Sequence, residues 1–294
     1  VITHLYFGLN SVIRSSGNPK MAMGLTLFTV ILNSILDPIF IFTLGMGVRG
    51  AALATVICQA VSLAYSIFYF MRKDNVLRLP KRFFEIEWRI AKDSLSIGMG
   101  PFLMNSASCI VTMFINQQLL KYGGDLAIGA YGIINRINFL FIMVVMGFNQ
   151  GMQPIAGYNF GARKYSRVRE VFLRTSMWAT IITGFWFIAS EFFPEVMVSI
   201  FTNDPSLKEV AEKGLRVMNP VVLIVGWQMV STNLFQSLGM VKKSIFLSLS
   251  RQLLYLVPML YILPTFFDIH GVFAAFPISD ALACITTLFM VSRL

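Results

Sequence analysis

Charge is scarce in this 294-residue chain: Asp, Glu, Lys and Arg make up 13% of it, against 56% hydrophobic residues, where an ordinary soluble domain carries roughly 25% charge. A soluble fold of this size would lack the polar side chains to cover its surface. Histidine is almost absent, with only His4 and His270. No H-E-x-x-H, no Gly-x-Ser-x-Gly and no pair of carboxylates stands in the apolar stretches, so the chemistry of a membrane enzyme is missing and no enzyme is expected. Cys58, Cys109 and Cys284 sit singly inside apolar runs; they imply neither a disulfide framework nor a metal site. Ahead of Val1 there is neither an initiator Met nor a basic n-region. That start reads as the inside of a helix that has been cut, not as a signal peptide.

What the chain has instead is long apolar blocks. Residues 21–36, 50–71, 94–120, 137–162 and 217–241 contain no Asp, Glu, Lys or Arg, and several reach the ~20 residues that cross a bilayer. Hydropathy and turn residues predict helices at about 1–13, 20–44, 48–71, 95–120, 127–158, 170–193, 212–238, 243–265 and 271–292, a partial helix plus eight. The net charge of +10 is not spread as a nucleic-acid surface would need. Arg14, Lys20, the basic residues of Arg72–Lys92 and Arg163–Arg174, Lys242, Lys243 and Arg293 fall at alternate connections, all on one face. By the positive-inside rule that face is cytoplasmic, and the C-terminus with it. The chain is thus expected to be a multi-pass protein of the bacterial cytoplasmic (inner) membrane, with lipid as its surroundings and no nucleic-acid partner. Residues 72–94, polar and broken by Pro80, read as a cytoplasmic linker.

An internal repeat organises the helices. Gly17 matches Gly239 and Lys20 matches Lys242 at an offset of 222, Gly50 matches Gly271 at 221, and Pro38 matches Pro258 at 220. Both copies enter from the same side, so the repeat is parallel. The chain then divides into the end of an N-lobe (1–71, with a partial fourth helix, the fifth and the sixth), the linker (72–94) and a six-helix C-lobe (95–294). Twelve helices are expected in an intact protein.

One stretch carries more than topology. Gly147-Phe-Asn-Gln-Gly-Met-Gln-Pro-Ile-Ala-Gly-Tyr-Asn-Phe-Gly-Ala-Arg-Lys164 is rich in glycine and amides, contains Pro154 and runs into a basic loop. Small residues let helices approach, and amides satisfy freed backbone groups. With the Arg14–Lys20 turn, Leu36-Asp37-Pro38 and Gly50-Ala-Ala-Leu-Ala54, this sequence resembles the multidrug and toxic compound extrusion (MATE) family, in its DinF- and MepA-like bacterial branch. The motif residues are Gly147, Gln150, Gly151, Pro154, Gly157, Asn159 and Gly161. The resemblance spans essentially the whole chain. It implies an all-α, two-lobe bundle that works by alternating access: H⁺ or Na⁺ enters while an organic, often cationic, molecule leaves. Beyond that coupling ion no cofactor is implied, and a monomer is expected. A lipid-linked saccharide flippase of the same superfamily is the alternative.

Ionisable groups inside a bilayer cost about 2.5–3.5 kcal/mol on insertion scales, so each needs a reason. Asp37 follows Asn33 and Ser34 by one helical turn, which lets the three share an ion or proton; Pro38 beside it frees a backbone carbonyl. A kink-stabilising role would fit the same residues. The resemblance assigns Asp37 to an N-lobe cation site whose second aspartate would lie upstream. Asp280 is the other intramembrane carboxylate. Arg136 is its expected counter-ion, in a structural pair or in a path for substrate or protons, while Arg251 is expected to reach back to the cytoplasmic face. Asn116, Gln117, Tyr131, Gln228 and Asn233 are further candidates for the substrate path. The sequence departs from the NorM-like branch: Ser108 stands where a glutamate is expected, and 212–238 holds no Asp. A C-lobe Na⁺ site of that kind is therefore not expected.

Overall fold

The computed structural model describes residues 1–71 and 87–293, and among them every element is helical. It divides into two compact units, Val1–Glu87 and Trp88–Leu294. Most of the expected linker, residues 72–86, lies outside the described residues.

The first unit holds α1 (Ile2–Ser15), α2 (Pro19–Pro38) and α3 (Val48–Met71). Between α1 and α2 the chain reverses at Gly17, whose φ of 94° suits a residue without Cβ. Asn18 then caps α2, its side chain accepting from the Met21 amide at 3.3 Å, and Pro19 opens the helix. The core is small, built from Tyr6, Ile13, Ala22, Leu25 and Phe70. Polar side chains supplement it: the Thr29 hydroxyl lies 3.2 Å from the Tyr6 hydroxyl and 2.6 Å from that of Ser62, joining three helices. Such bonds bind helices where lipid removes the hydrophobic drive. Pro38 has no N–H to give the Ser34 carbonyl, and directly after it the helix widens into a π turn, Ile39–Thr43, with Leu44 N–H donating to the Ile39 carbonyl at 2.9 Å.

The second unit opens with α4 (Trp88–Gly161), 74 residues in length. At 1.5 Å per residue that is about 110 Å, more than three times the ~30 Å of a hydrocarbon core, so it contains two crossings. The break is at Gly124, with φ 65° and ψ −164°. Val111, Ile115 and Leu119 before it share one core with Ala127, Tyr131 and Ile134 after it, as two arms folded together. Next come α5 (Tyr165–Phe192), α6 (Pro194–Ser199), α7 (Pro205–Met218), α8 (Val222–Ser237), α9 (Val241–Leu249), a second π turn (Ser250–Leu256), α10 (Val257–Ile262) and α11 (Pro264–Val291). Gly226 sets how closely α8 meets α5, since a Cβ there would fall 2.8 Å from the Thr183 methyl. Among the described residues, six helices are long and apolar enough to cross a membrane, or seven if α7 and α8 form one bent span.

One expected helix is not continuous. The segment 212–238 is α7 and α8, bent by 61°, because Pro220 lacks the N–H that would continue the ladder and its ring displaces a preceding carbonyl. The segment 243–265 is one helical span, Val241–Ile262, widened in its middle by the second π turn. Also, α11 has a sharp turn at Asp268 (φ 49°, ψ −133°), so its long arm begins near Ile269.

The repeat landmarks do the same mechanical work in both halves. Gly17 and Gly239 both have positive φ, 94° and 74°, at the turn into a helix. Gly50 and Gly271 both pass beneath the end of the preceding helix: a Cβ on Gly50 would lie 2.6 Å from the Phe40 carbonyl oxygen, and one on Gly271 2.5 Å from the Leu263 carbonyl carbon. The π turns do not superimpose. One follows Pro38, whereas the other precedes Pro258.

Candidate functional site

In the first unit, Asp37 is half-buried near the end of α2, and the Asn33 amide donates to its Oδ1 at 3.1 Å. The two are one turn apart, as their spacing predicted. Ser34 does not join them: its hydroxyl donates to the Val30 carbonyl of its own helix at 2.9 Å, and the side chain is exposed. Gln59, pseudo-equivalent to Asp280 under the repeat, accepts from the Thr3 hydroxyl at 2.5 Å.

In the second unit, Asp280 of α11 is buried and receives Nε of Arg251 at 2.6 Å. This corrects the expected pairing. Arg136 is exposed on the second arm of α4 and makes no ion pair among the described residues, while Arg251 turns inward instead of reaching the membrane face. The reason is the hairpin. Residues 251 and 280 are equidistant from the turn between α10 and the long arm of α11, so antiparallel packing brings them side by side. The π turn carrying Arg251 sets its direction.

The pair stands between two cavities. The larger, about 340 Å³, is bounded by both arms of α4, α8, α9 and the second π turn; the smaller, about 170 Å³, has Tyr131, Asn138, Trp186, Asn219 and Asp280 in its wall. Arg251 and Met229 line both. Of the expected substrate-path residues, Gln228 and Asn233 line the larger cavity, and Tyr131 and Asp280 the smaller. Asn116 and Gln117 line neither and are exposed. Asn116 shares a helix face with cavity-lining Asn105 but sits about 16 Å farther along it, beyond the cavity's end.

The walls are tied by amides. Gln153 donates to Asn233 at 3.0 Å, joining α4 to α8, and Gln252 donates to the Ser108 hydroxyl at 2.8 Å, joining the π turn to the first arm of α4. Other polar atoms are buried without a partner among the described residues: both amide atoms of Asn149, and Oε1 of Gln228 and of Gln252, at the larger cavity, and both amide atoms of Asn219 at the smaller. A buried unpaired polar group costs ~1–3 kcal/mol. Sequence reasoning passed over Asn149, Asn219 and Gln252. The signal was present, since all three are amides inside apolar runs, but only the fold shows that they converge.

The glycine-rich motif lies on the second arm of α4. Its close approach to another helix is made by Gly157, where a Cβ would fall 3.2 Å from the Ser237 carbonyl; Gly147, Gly151 and Gly161 have open space around them among the described residues. Gln150 lines the larger cavity, Pro154 lies within the helix, and Asn159 is buried, its amide donating to the Ile155 carbonyl at 2.9 Å. Residues 97–262, more than half of the chain, match the MatE family model. The chain belongs to the MatE family. The multidrug export protein MepA of Staphylococcus aureus (strain bovine RF122 / ET3-1) is 29% identical to it over 287 residues, covering 98% of this chain and 63% of that protein. The chain therefore spans a little under two thirds of the length of that relative. Among solved structures, an outward-facing multidrug resistance MATE transporter of the MOP superfamily is similar at TM-score 0.88 and 26% identity, over 97% of this chain and 64% of that one. A MOP superfamily transporter from Pyrococcus furiosus, for which reversed polarity of the binding pocket suggests a different function, is similar at TM-score 0.90 and 26% identity, over 97% and 65%. The MatE fold thus supplies the frame for both cavities, and the relatives are transporters, not enzymes.

The Arg251–Asp280 pair also makes a testable contribution to stability. Removing one partner strands the other, and buried pairs lose ~3–5 kcal/mol this way. With the Arg251 side chain 36% exposed and that of Asp280 12% exposed, Asp280→Ala is expected to cost about 2 kcal/mol. By contrast, Glu170→Ala breaks a pair whose side chains are 74% and 58% exposed and is expected to cost at most ~0.5 kcal/mol. Thermal unfolding of the two detergent-purified variants checks the ordering.

Proposed function

We propose that this MatE-family protein exports organic, often cationic, molecules by antiport with H⁺ or Na⁺, through alternating access, in the bacterial cytoplasmic membrane with its C-terminus in the cytoplasm. The observation that carries the coupling is Asp37: a carboxylate in an apolar span, held by Asn33 and set beside a proline and a π turn. A carboxylate that gains and loses a cation next to a helix defect can convert binding into movement, because π turns mark places where a helix changes register. The multidrug export function of MepA supports the choice of substrate. We further propose that the protein acts as a monomer among membrane lipids, without a cofactor other than the coupling ion.

The test is dye transport into everted membrane vesicles containing the protein expressed from its complete gene. A cationic dye should accumulate under an imposed pH or Na⁺ gradient and be released when that gradient is collapsed. Equal uptake with and without a gradient would reject coupled export. The amide-lined cavity of the second unit favours one other reading, a flippase for a lipid-linked saccharide; labelled glycolipid crossing liposomes without dye transport would select it.

A further inference from the structure

A third space opens at the basic end of the second unit, away from the Arg251–Asp280 pair. It is a groove of about 540 Å³ between α5 and α8. Val168, Phe172 and Leu173 line it from α5, Leu234 and Leu238 from α8, with Phe160 of α4 beside them. Four of these are buried, but Leu173 is 53% exposed, so the groove is open there. Its α5 wall runs from Tyr165 to Leu173, about 12 Å at the helical rise. One leaflet, half of a ~30 Å hydrocarbon core, is about that deep. The single charged lining residue is Arg169, exposed and without an ion pair among the described residues. Its neighbour Glu170 is engaged by Arg174 at 2.7 Å. More cations adjoin the wall: Arg163, Lys164 and Arg167 flank Tyr165, Lys242 and Lys243 follow the lining residue Met240, and Arg293 follows the lining residue Val291. Among the described residues no carboxylate lines the groove.

We propose that this groove holds an acyl chain of an anionic phospholipid, with the guanidinium of Arg169 bonded to its phosphate. The site is separate from Asp37 and from both inner cavities, and it rests neither on the export reading nor on which leaflet the basic face adjoins. The occupant follows from the two chemistries of the wall. A free inorganic anion would satisfy Arg169 and leave the apolar groove unfilled, whereas a neutral apolar molecule would fill the groove and leave the guanidinium unpaired. An amphiphile with an anionic head answers both. Helical side chains lean toward the N-terminus of their helix, and α5 begins at the basic connection. Arg169 thus leans toward the headgroup level, with its aliphatic stem along the groove and its planar fork matched to two phosphate oxygens. The start of α5 has no side-chain cap and no acidic residue in its first turn, so no side chain there competes with a phosphate. Basic pockets between membrane helices hold anionic headgroups in this way. A choline headgroup would bring its own ammonium against the same cations.

Native mass spectrometry of the delipidated protein, expressed from its complete gene and held in a non-ionic detergent, counts bound lipids one by one. Dioleoyl phosphatidylglycerol and dioleoyl phosphatidylcholine share their chains and differ in headgroup charge. Each basic residue engaged by an anionic lipid is worth about five-fold in affinity, so phosphatidylglycerol is expected to bind at least about ten-fold more tightly. Arg169→Gln should cut that preference about five-fold. Arg167→Gln, on the same basic turn but outside the groove wall, should change it less than about two-fold. Glycerol phosphate, which carries the charge without the chains, should not displace the lipid. Equal binding of the two lipids would overturn the proposal, leaving the groove to another segment of the chain or to any lipid. Equal losses in the two arginine variants would overturn it in favour of a diffuse basic surface, and displacement by glycerol phosphate in favour of a free-anion site. Should Arg169→Gln fail to give monodisperse protein, Leu173→Glu decides the matter by setting a carboxylate one turn from Arg169: an unchanged preference overturns the proposal. Dye export plays no part in the readout.

Discussion

Replacing Asp37 with asparagine is expected to abolish gradient-driven dye export, lowering the coupled rate at least about a hundred-fold, while insertion and folding are retained. The substitution is nearly isosteric, and the carbonyl oxygen of the new amide can still accept from Asn33, as Oδ1 does now at 3.1 Å. What it removes is the charge, and with it the capacity to take up a proton or ligate Na⁺. Because a carboxylate at this depth costs about 2.5–3.5 kcal/mol on insertion, the variant should be at least as stable as the original, so loss of activity would not be ascribed to misfolding. Ser34→Ala is the control. That hydroxyl serves only the Val30 carbonyl, so export should be unchanged. Dye uptake under a pH gradient and under a Na⁺ gradient, measured in everted vesicles, checks both variants and identifies the coupling ion. Normal export by Asp37→Asn would reject Asp37 as the coupling residue.

The largest effect on stability is expected from Gly271→Ala. A methyl group there would fall 2.5 Å from the Leu263 carbonyl carbon and 2.7 Å from Pro264 N. Both are backbone atoms of the turn into α11, and neither can swing aside as a side chain would. Overpacking a core costs ~1–3 kcal/mol, and more where the backbone has to move; about 4 kcal/mol is expected here. Gly50→Ala meets the Phe40 carbonyl in the same way and should be similarly damaging, whereas Gly147→Ala, with open space around it, should be neutral. Fluorescence-detected size exclusion after stepwise heating ranks the three. Equal melting of Gly271→Ala and Gly147→Ala would show that the turn yields more easily than its geometry indicates.

These glycines show how far the sequence carries. Gly17, Gly50, Gly239 and Gly271 were legible as repeat landmarks because a mechanical constraint, a positive φ or a helix passing beneath a carbonyl, leaves only one residue type acceptable. The helix 48–71 was likewise legible, since its apolar run has clear punctuation at both ends. Pro220 and the π turn at Ser250–Leu256 are a different case. The proline was present but submerged in an apolar stretch long enough to pass as one span, and π widening leaves no composition signal.

The charged pair gives the same lesson at the level of a site. Periodicity marked Asp280, Arg136 and Arg251 as costly groups, but choosing the partner of Asp280 needed the position of a turn, and an exposed Arg136 reads in sequence like a buried one. Asn33 and Asp37, four residues apart on one helix, needed no such information.

The sequence by itself determined the features set by solvent and local geometry: a membrane protein, most of its helices, the glycine landmarks of the repeat, and a carboxylate next to a proline. Only the tertiary structure decided what depends on long-range convergence. Asn149, Gln228, Arg251 and Gln252, spread over more than a hundred residues, become one cavity wall because α8 and the second π turn both pack against α4. The free energy of an amide or a guanidinium in lipid is set by its neighbours, and those neighbours are not its neighbours in sequence.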